Sequence, residues 1–144
     1  MAYHGSCLCG AIEYTIERTR LNAMHCYCAM CRKAHGTAFS THCIVPPQQL
    51  HWTLQHTQRV AYQSSHSGWR EFCPHCGTHL LVHGQSGDGN LAVPAGTLDG
   101  NPGLNILGHM YTSERVSWFP ITDALPQYDT WPPGFGQSSD PPQD

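Results

Sequence analysis

Gly5-Ser6-Cys7-Leu8-Cys9-Gly10-Ala11-Ile12-Glu13-Tyr14-Thr15-Ile16 decides how this chain is read. Between two glycines, two thiols sit one residue apart, in the setting of a turn. Over residues 11–16 apolar and polar side chains then alternate, the period of a strand with one face buried and one in water. A thiol-bearing turn that opens onto a half-buried strand suggests a metal-stapled β domain, and the rest of the chain supplies two more thiol clusters.

One is Cys26-Tyr27-Cys28-Ala29-Met30-Cys31-Arg32-Lys33, three cysteines within six residues; the other is Cys73-Pro74-His75-Cys76-Gly77. Thiolates are soft anionic donors that Zn²⁺ holds deprotonated at neutral pH. In C-x2-C-Gly the turn aims backbone N–H groups at sulfur, and glycine relieves the crowding that follows. Two pairs, Cys7/Cys9 and Cys73/Cys76, make a closed four-thiolate site of the structural kind. Cys26, Cys28 and Cys31 are then left to hold a second zinc with its fourth position open, as catalytic zinc requires. Spacing alone leaves the pairing undecided, since Cys7, Cys9, Cys26 and Cys28 also make four. The eighth cysteine, Cys43, lies in a strand pattern beside Ile44 and reads as a buried free thiol. His25 and His35 compete as a fourth ligand for the three-cysteine loop.

Disulfides are the rival use of eight cysteines. Met1-Ala2-Tyr3-His4-Gly5 shows no charged segment leading into an apolar one, so no secretory leader is read there. Cysteines one residue apart are also poorly placed to bridge each other. The expectation is a cytoplasmic metal protein.

Working outward, residues 37–45 form a strong strand signal stopped by Pro46-Pro47, and 78–82, 90–97 and 105–111 read as strands. Weaker signals cover 51–54 and 59–63. Residues 21–25 and 69–72 lead into thiol clusters, 32–36 make one helical turn ended by Gly36, and 47–50 make a short turn. Residues 84–89 are glycine-rich, but no Lys-Ser/Thr or helix pattern follows, which argues against a phosphate cradle. No 3.6-residue period persists, so the expected class is all-β with little helix. The 144 residues fit one domain, placed at 1–128. Residues 129–144, rich in Pro, Gly, Ser and Gln, read as a tail whose Trp131 and Phe135 can dock on the body.

The charged fraction of 12% and net charge of −3 leave few, unclustered cations, which argues against a nucleic-acid footprint. No apolar run approaches the roughly 18 residues that span a bilayer. The expected partner is a small-molecule substrate, with oligomeric state not indicated.

The chain resembles a known family over Gly5-Ser6-Cys7-Leu8-Cys9-Gly10, His25-Cys26-Tyr27-Cys28-Ala29-Met30-Cys31-Arg32-Lys33 and Arg70-Glu71-Phe72-Cys73-Pro74-His75-Cys76-Gly77-Thr78. These look like the glutathione-dependent formaldehyde-activating enzymes, a family that includes the domain of centromere protein V. Trp118 and Asp123-Ala124-Leu125-Pro126 resemble its C-terminal end. The resemblance implies a β-tent fold of packed antiparallel sheets stapled by zinc. It implies a structural zinc on Cys7, Cys9, Cys73 and Cys76, and an active-site zinc on Cys26, Cys28 and Cys31. It also implies carbon–sulfur lyase chemistry, joining formaldehyde to glutathione to give S-(hydroxymethyl)glutathione. Arg32, Lys33 and Arg70 are then candidates to meet the carboxylates of glutathione, and Glu71 or a histidine to carry a proton. Two further readings are a zinc-hydroxide enzyme acting on another small electrophile and a non-catalytic zinc-stapled binding module. The open three-thiol loop favours an enzyme, since a scaffold has no use for it.

Overall fold

The computed structural model describes residues 2–84 and 87–134. In chain order the strands are β1 (Ala2–Ser6), β2 (Ile12–Glu17), β3 (Asn22–Cys26), β4 (Ser40–Val45) and β5 (Leu50–Gln55), with helix α1 (Ala29–His35) between β3 and β4. They continue with β6 (Val60–Gln63), β7 (Trp69–Phe72), β8 (His79–His83), β9 (Leu91–Pro94) and β10 (Asn105–Met110). A three-stranded sheet runs β1-β2-β5 and a seven-stranded one runs β10-β3-β4-β9-β8-β7-β6. The class is all-β.

The alternation in β2 is realised as read: Ile12, Tyr14 and Ile16 are buried while Glu13 and Glu17 face water. The three buried side chains, with Leu50 of β5, pack against Ala23, Cys43, Val45, Leu80 and Val93 of the large sheet. The core is therefore the space between the two sheets, filled from both inner faces. Cys43 lies in it, fully buried and free. Because strand side chains alternate, the other face of the large sheet is left for chemistry. On β3 and β4 that face carries Met24, Cys26, His42 and Ile44, all of which border one cleft.

The structure departs from the sequence reading in several places. β1 forms at Ala2–Ser6, where the sequence reading assigned no strand, and the expected turn follows it; the strand is held antiparallel to β2 with Gly5 opposite Tyr14. A side chain at Gly5 would strike the Tyr14 ring, so the pairing uses a residue with poor strand propensity. β3 forms from a segment read only as a lead-in, because β4 on one side and β10 on the other supply its hydrogen bonds; context overrides propensity. β10 runs parallel to β3, an exception to the antiparallel expectation, with Asn105 Nδ2 donating to Asn22 Oδ1 at 2.7 Å. α1 begins at Ala29 rather than Arg32. Cys28 is its N-cap, in extended conformation, and its Sγ accepts the Cys31 N–H at 3.3 Å.

Beyond β10 the chain loops round and runs parallel beside it, with His109 bridged to Gln127. The His109 N–H donates to the Pro126 carbonyl (2.9 Å), the Tyr128 N–H to His109 (2.8 Å) and the Tyr111 N–H to Thr130 (3.1 Å). Trp131 packs edge-on against Tyr111 with ring centres 5.6 Å apart. The first residues of the expected tail are thus bonded to the body. Phe135 and residues 138–144 lie outside the described residues, as do Gln85 and Ser86 of the glycine-rich loop. Among the described residues no helix is long and apolar enough to cross a membrane.

Candidate metal centres

The turn after β1 carries Cys7 and Cys9, and the turn after β7 carries Cys73 and Cys76. Their four Sγ atoms lie within 4.8 Å of one another, with Cys7–Cys9 at 3.7 Å and Cys9–Cys73 at 3.8 Å. A tetrahedron with metal–sulfur bonds of about 2.3 Å has edges of about 3.8 Å, so the set fits Zn²⁺. Gly10 and Gly77 close the two turns, each at φ 77°, a left-handed conformation that glycine adopts without steric cost. Their N–H groups donate to the carbonyls of Cys7 (3.0 Å) and Cys73 (2.8 Å). Thr78 Oγ1 ties the turns together: it accepts the Leu8 N–H at 2.9 Å and meets Cys76 Sγ at 3.2 Å. The same hydroxyl leads in pushing the Cys76 thiol down to about 5.

The second cluster is Cys26 at the end of β3, Cys28 at the helix cap and Cys31 in the first turn of α1, all buried and mutually within 4.8 Å. The four-thiol set that would combine Cys7 and Cys9 with Cys26 and Cys28 is not formed. Hydrogen bonds from Cys26 and then Cys28, with His42 adding, hold the Cys31 thiol well below its ordinary value. Hydrogen bonding to Cys28 and Cys31 pushes Cys26 well above. Thiols packed this closely cannot all ionise unless a cation offsets their repulsion, which is what a divalent ion does.

A positive group already points at the Cys31 sulfur. Arg70 of β7 is 2% exposed and its Nη2 donates to Cys31 Sγ at 3.6 Å. Its Nε and Nη1 have no hydrogen-bond partner, and it forms no ion pair with a carboxylate among the described residues. A buried unpaired charge costs several kcal/mol, so the anionic thiolate cluster is the counter-charge of Arg70. The chemistry of the donor set therefore fits a zinc ion on three thiolates, whose net charge is negative.

No fourth Cys, His, Asp or Glu joins the cluster among the described residues. His25 is turned away, its Nδ1 bonded to Thr41 Oγ1 at 2.7 Å and its ring on Phe39. His35 packs on the rings of His42 and His79. Neither sequence candidate closes the site. His42, which the sequence reading did not select, comes nearest: its Nε2 is 3.9 Å from Cys31 Sγ and 2.6 Å from Ser40 Oγ. The available signal was the alternation in β4, which sets His42 on the face opposite Cys43 and Val45.

Above the thiols opens a cleft of about 70 Å³ that is partly open to solvent. Its wall includes Met24, Met30, Ile44, Leu91, Met110 and Trp131, with His42, His83 and Asn90 as polar contributors. Tyr111, which also lines it, sits at φ 58°, the one described non-glycine residue in the left-handed region. That conformation is costly for a bulky residue. It is held by the bond to Thr130 and places the ring in the buried cluster with Cys26, Cys28 and Cys31.

Behind the loop a second unpredicted group locks it. Tyr27, between two of the thiols and 2% exposed, bonds through its hydroxyl to His109 Nδ1 at 2.8 Å, and His109 Nε2 bonds to Asp123 at 2.8 Å. Glu114 Oε1 accepts the first helical N–H, that of Ala29, at 3.0 Å. The cations proposed from sequence for glutathione do not line the cleft. The Arg32 Nε donates to the Tyr27 carbonyl at 3.3 Å, Lys33 is exposed on α1, and Arg70 lies against Cys31. Glu71, suggested as a proton carrier, is bonded to Arg59 (2.9 Å) and His83 (2.7 Å) and is also not part of the cleft wall.

The family described as glutathione-dependent formaldehyde-activating enzyme matches residues 2–114. Among solved structures, the chain is similar to the crystal structure of a Rhodobacter sphaeroides protein. The two are 22% identical, the match covers 72% of this chain and 98% of that one, and the TM-score is 0.58, a likeness of fold. No curated protein matches the chain.

Proposed function

The chain belongs to the glutathione-dependent formaldehyde-activating enzyme family, and from that premise we propose that it is a zinc-dependent enzyme joining a thiol to a small aldehyde. The observation that carries this reading is the cluster of three buried thiols, with no fourth Cys, His, Asp or Glu donor joining them among the described residues, bordering a mostly apolar cleft. A zinc ion held there supplies a Lewis acid with an exchangeable position, able to lower the pKa of an incoming thiol. The four-thiol site is the structural one.

The reaction is an addition. A sulfur–carbon bond forms, the carbonyl π bond breaks, and the thiol proton ends on the carbonyl oxygen; the reverse is a carbon–sulfur lyase step. Cys26, Cys28 and Cys31 hold the metal, and Arg70 offsets the charge of their sulfurs from behind. The apolar wall excludes water and brings the two reactants into contact, which is where most of the acceleration arises. His42 is the polar side chain of the cleft nearest Cys31, and with its Nε2 tied to Ser40 it is placed to move the proton.

The test is metal content joined to a cobalt-substituted thiol titration. Two zinc ions per chain, a thiol-dependent cobalt spectrum, and hemithioacetal formation lost in Cys28→Ser are the expected results. A cobalt spectrum that responds to pH but to no thiol would overturn the reading in favour of water chemistry.

A further inference from the structure

The chain has seven lysines and arginines, and every one lies among the described residues. Arg18 and Arg20 sit in the turn after β2, where Arg18 Nε donates to the Arg20 carbonyl. Arg59 is bonded to Glu71, and Arg115 Nη1 to the Thr112 carbonyl at 2.9 Å. Arg32, Lys33 and Arg70 are placed as described above. None lines the cleft over Cys26, Cys28 and Cys31.

Glutathione brings two carboxylates and two amides. Desolvating such groups against an apolar wall without partners is costly, and a site that binds carboxylates ordinarily supplies a guanidinium or ammonium. This wall is mostly thioether, aliphatic and aromatic carbon; of its polar members, His42 is tied to Ser40 and His83 to Glu71, and Asn90 carries no charge. Methionine side chains are polarisable and adapt to apolar ligands of varied shape, and three of them, Met24, Met30 and Met110, line the cleft.

We infer that, within the thiol–aldehyde reading on which this rests, the cleft accepts a small uncharged thiol whose organic part lies against Met24, Met30, Met110, Leu91 and Trp131. A carboxylate-bearing thiol such as glutathione is the poorer partner.

The experiment titrates the cobalt-loaded full chain with N-acetylcysteine methyl ester, N-acetylcysteine and glutathione, reading the sulfur-to-cobalt charge-transfer absorption. Affinities are referred to the thiolate form of each probe. The ester is expected to bind at least ten-fold more tightly than the acid or glutathione. Equal or tighter binding of either carboxylate-bearing thiol would overturn this inference and leave thiol–aldehyde chemistry standing. No response to any thiol would remove both. A second arm uses Met30→Lys, which places a cation on the wall from the half-buried face of α1. It should cut the preference for the ester to three-fold or less; an unchanged preference in a variant with a wild-type cobalt spectrum would overturn the assignment of selectivity to this wall.

Discussion

Arg70 Nη2 and Cys31 Sγ meet at 3.6 Å although 39 residues separate them in sequence, and Arg70 is almost sealed from solvent. The contact joins β7 to the first turn of α1, bringing a buried cation to a cluster that needs one. Each is the other's reason for being buried.

Arg70→Gln should therefore weaken zinc at the three-thiol site by about 10–100-fold, the usual effect of losing an outer partner of a metal ligand. The four-thiol site should keep its metal. Competition with a chelator, followed by zinc content per chain, distinguishes the two. Equal retention of both ions would show that Arg70 has no part in holding the open site.

The two sites should fail differently. Cys76→Ser cuts the link between the turns after β1 and β7, and because structural zinc binding is folding energy, the loss should exceed the margin of a small domain. Circular dichroism should show an unfolded chain. Cys28→Ser should stay folded, with a melting temperature near wild type, and lose its cobalt response to thiols.

His109→Leu removes the partner of the buried Tyr27 hydroxyl and of Asp123. An unsatisfied buried hydroxyl costs about 1–3 kcal/mol, so urea unfolding of the zinc-saturated variant should show a loss in that range. Asp123→Asn preserves an acceptor for His109 at an exposed position and should cost less. If His109→Leu unfolds at the wild-type midpoint, the bond to Tyr27 adds nothing to the loop.

His35 gives a pH dependence. Burial first, and then the neighbouring His42, push its ring down to about 4, against about 6.5 in an unfolded chain. Between those values the unfolded state binds a proton that the folded state refuses. This contribution is complete above pH 6.5 and is lost as pH falls toward 4. By pH 5.5 the loss is about 1 kcal/mol. Urea titrations at pH 7.5 and 5.5 should show His35→Phe losing less stability than wild type by roughly that amount; an identical loss would mean the ring carries no such penalty.

Local patterns were legible and cross-strand relations were not. The alternation of Ile12, Tyr14 and Ile16 is visible because its period lies within six residues, and Cys73-Pro74-His75-Cys76-Gly77 announces its turn in five. β1 and β3 escaped because their residues have little strand propensity and are held by neighbours distant in sequence. The same distance hid the surroundings of the thiol loop. Ser40 stands opposite Cys26 and His42 opposite Met24 only through the register of β3 with β4, and Tyr27 meets His109 across 82 residues. Arg70 was noticed for its charge and assigned to the substrate. Its place behind Cys31 follows from how β7 sits in the sheet, which no spacing within one segment encodes.

The parallel strand β10 and the segment after it have a consequence in time. The four-thiol turns are complete once the chain has been made as far as Thr78, whereas the three-thiol loop borrows His109, Tyr111 and Trp131 from the last third. Domains emerge from the ribosome amino-terminus first, at about 5–20 residues per second, so the staple can close several seconds before the cleft has its flank and roof. The first metal seated is then the one that holds the sheets together.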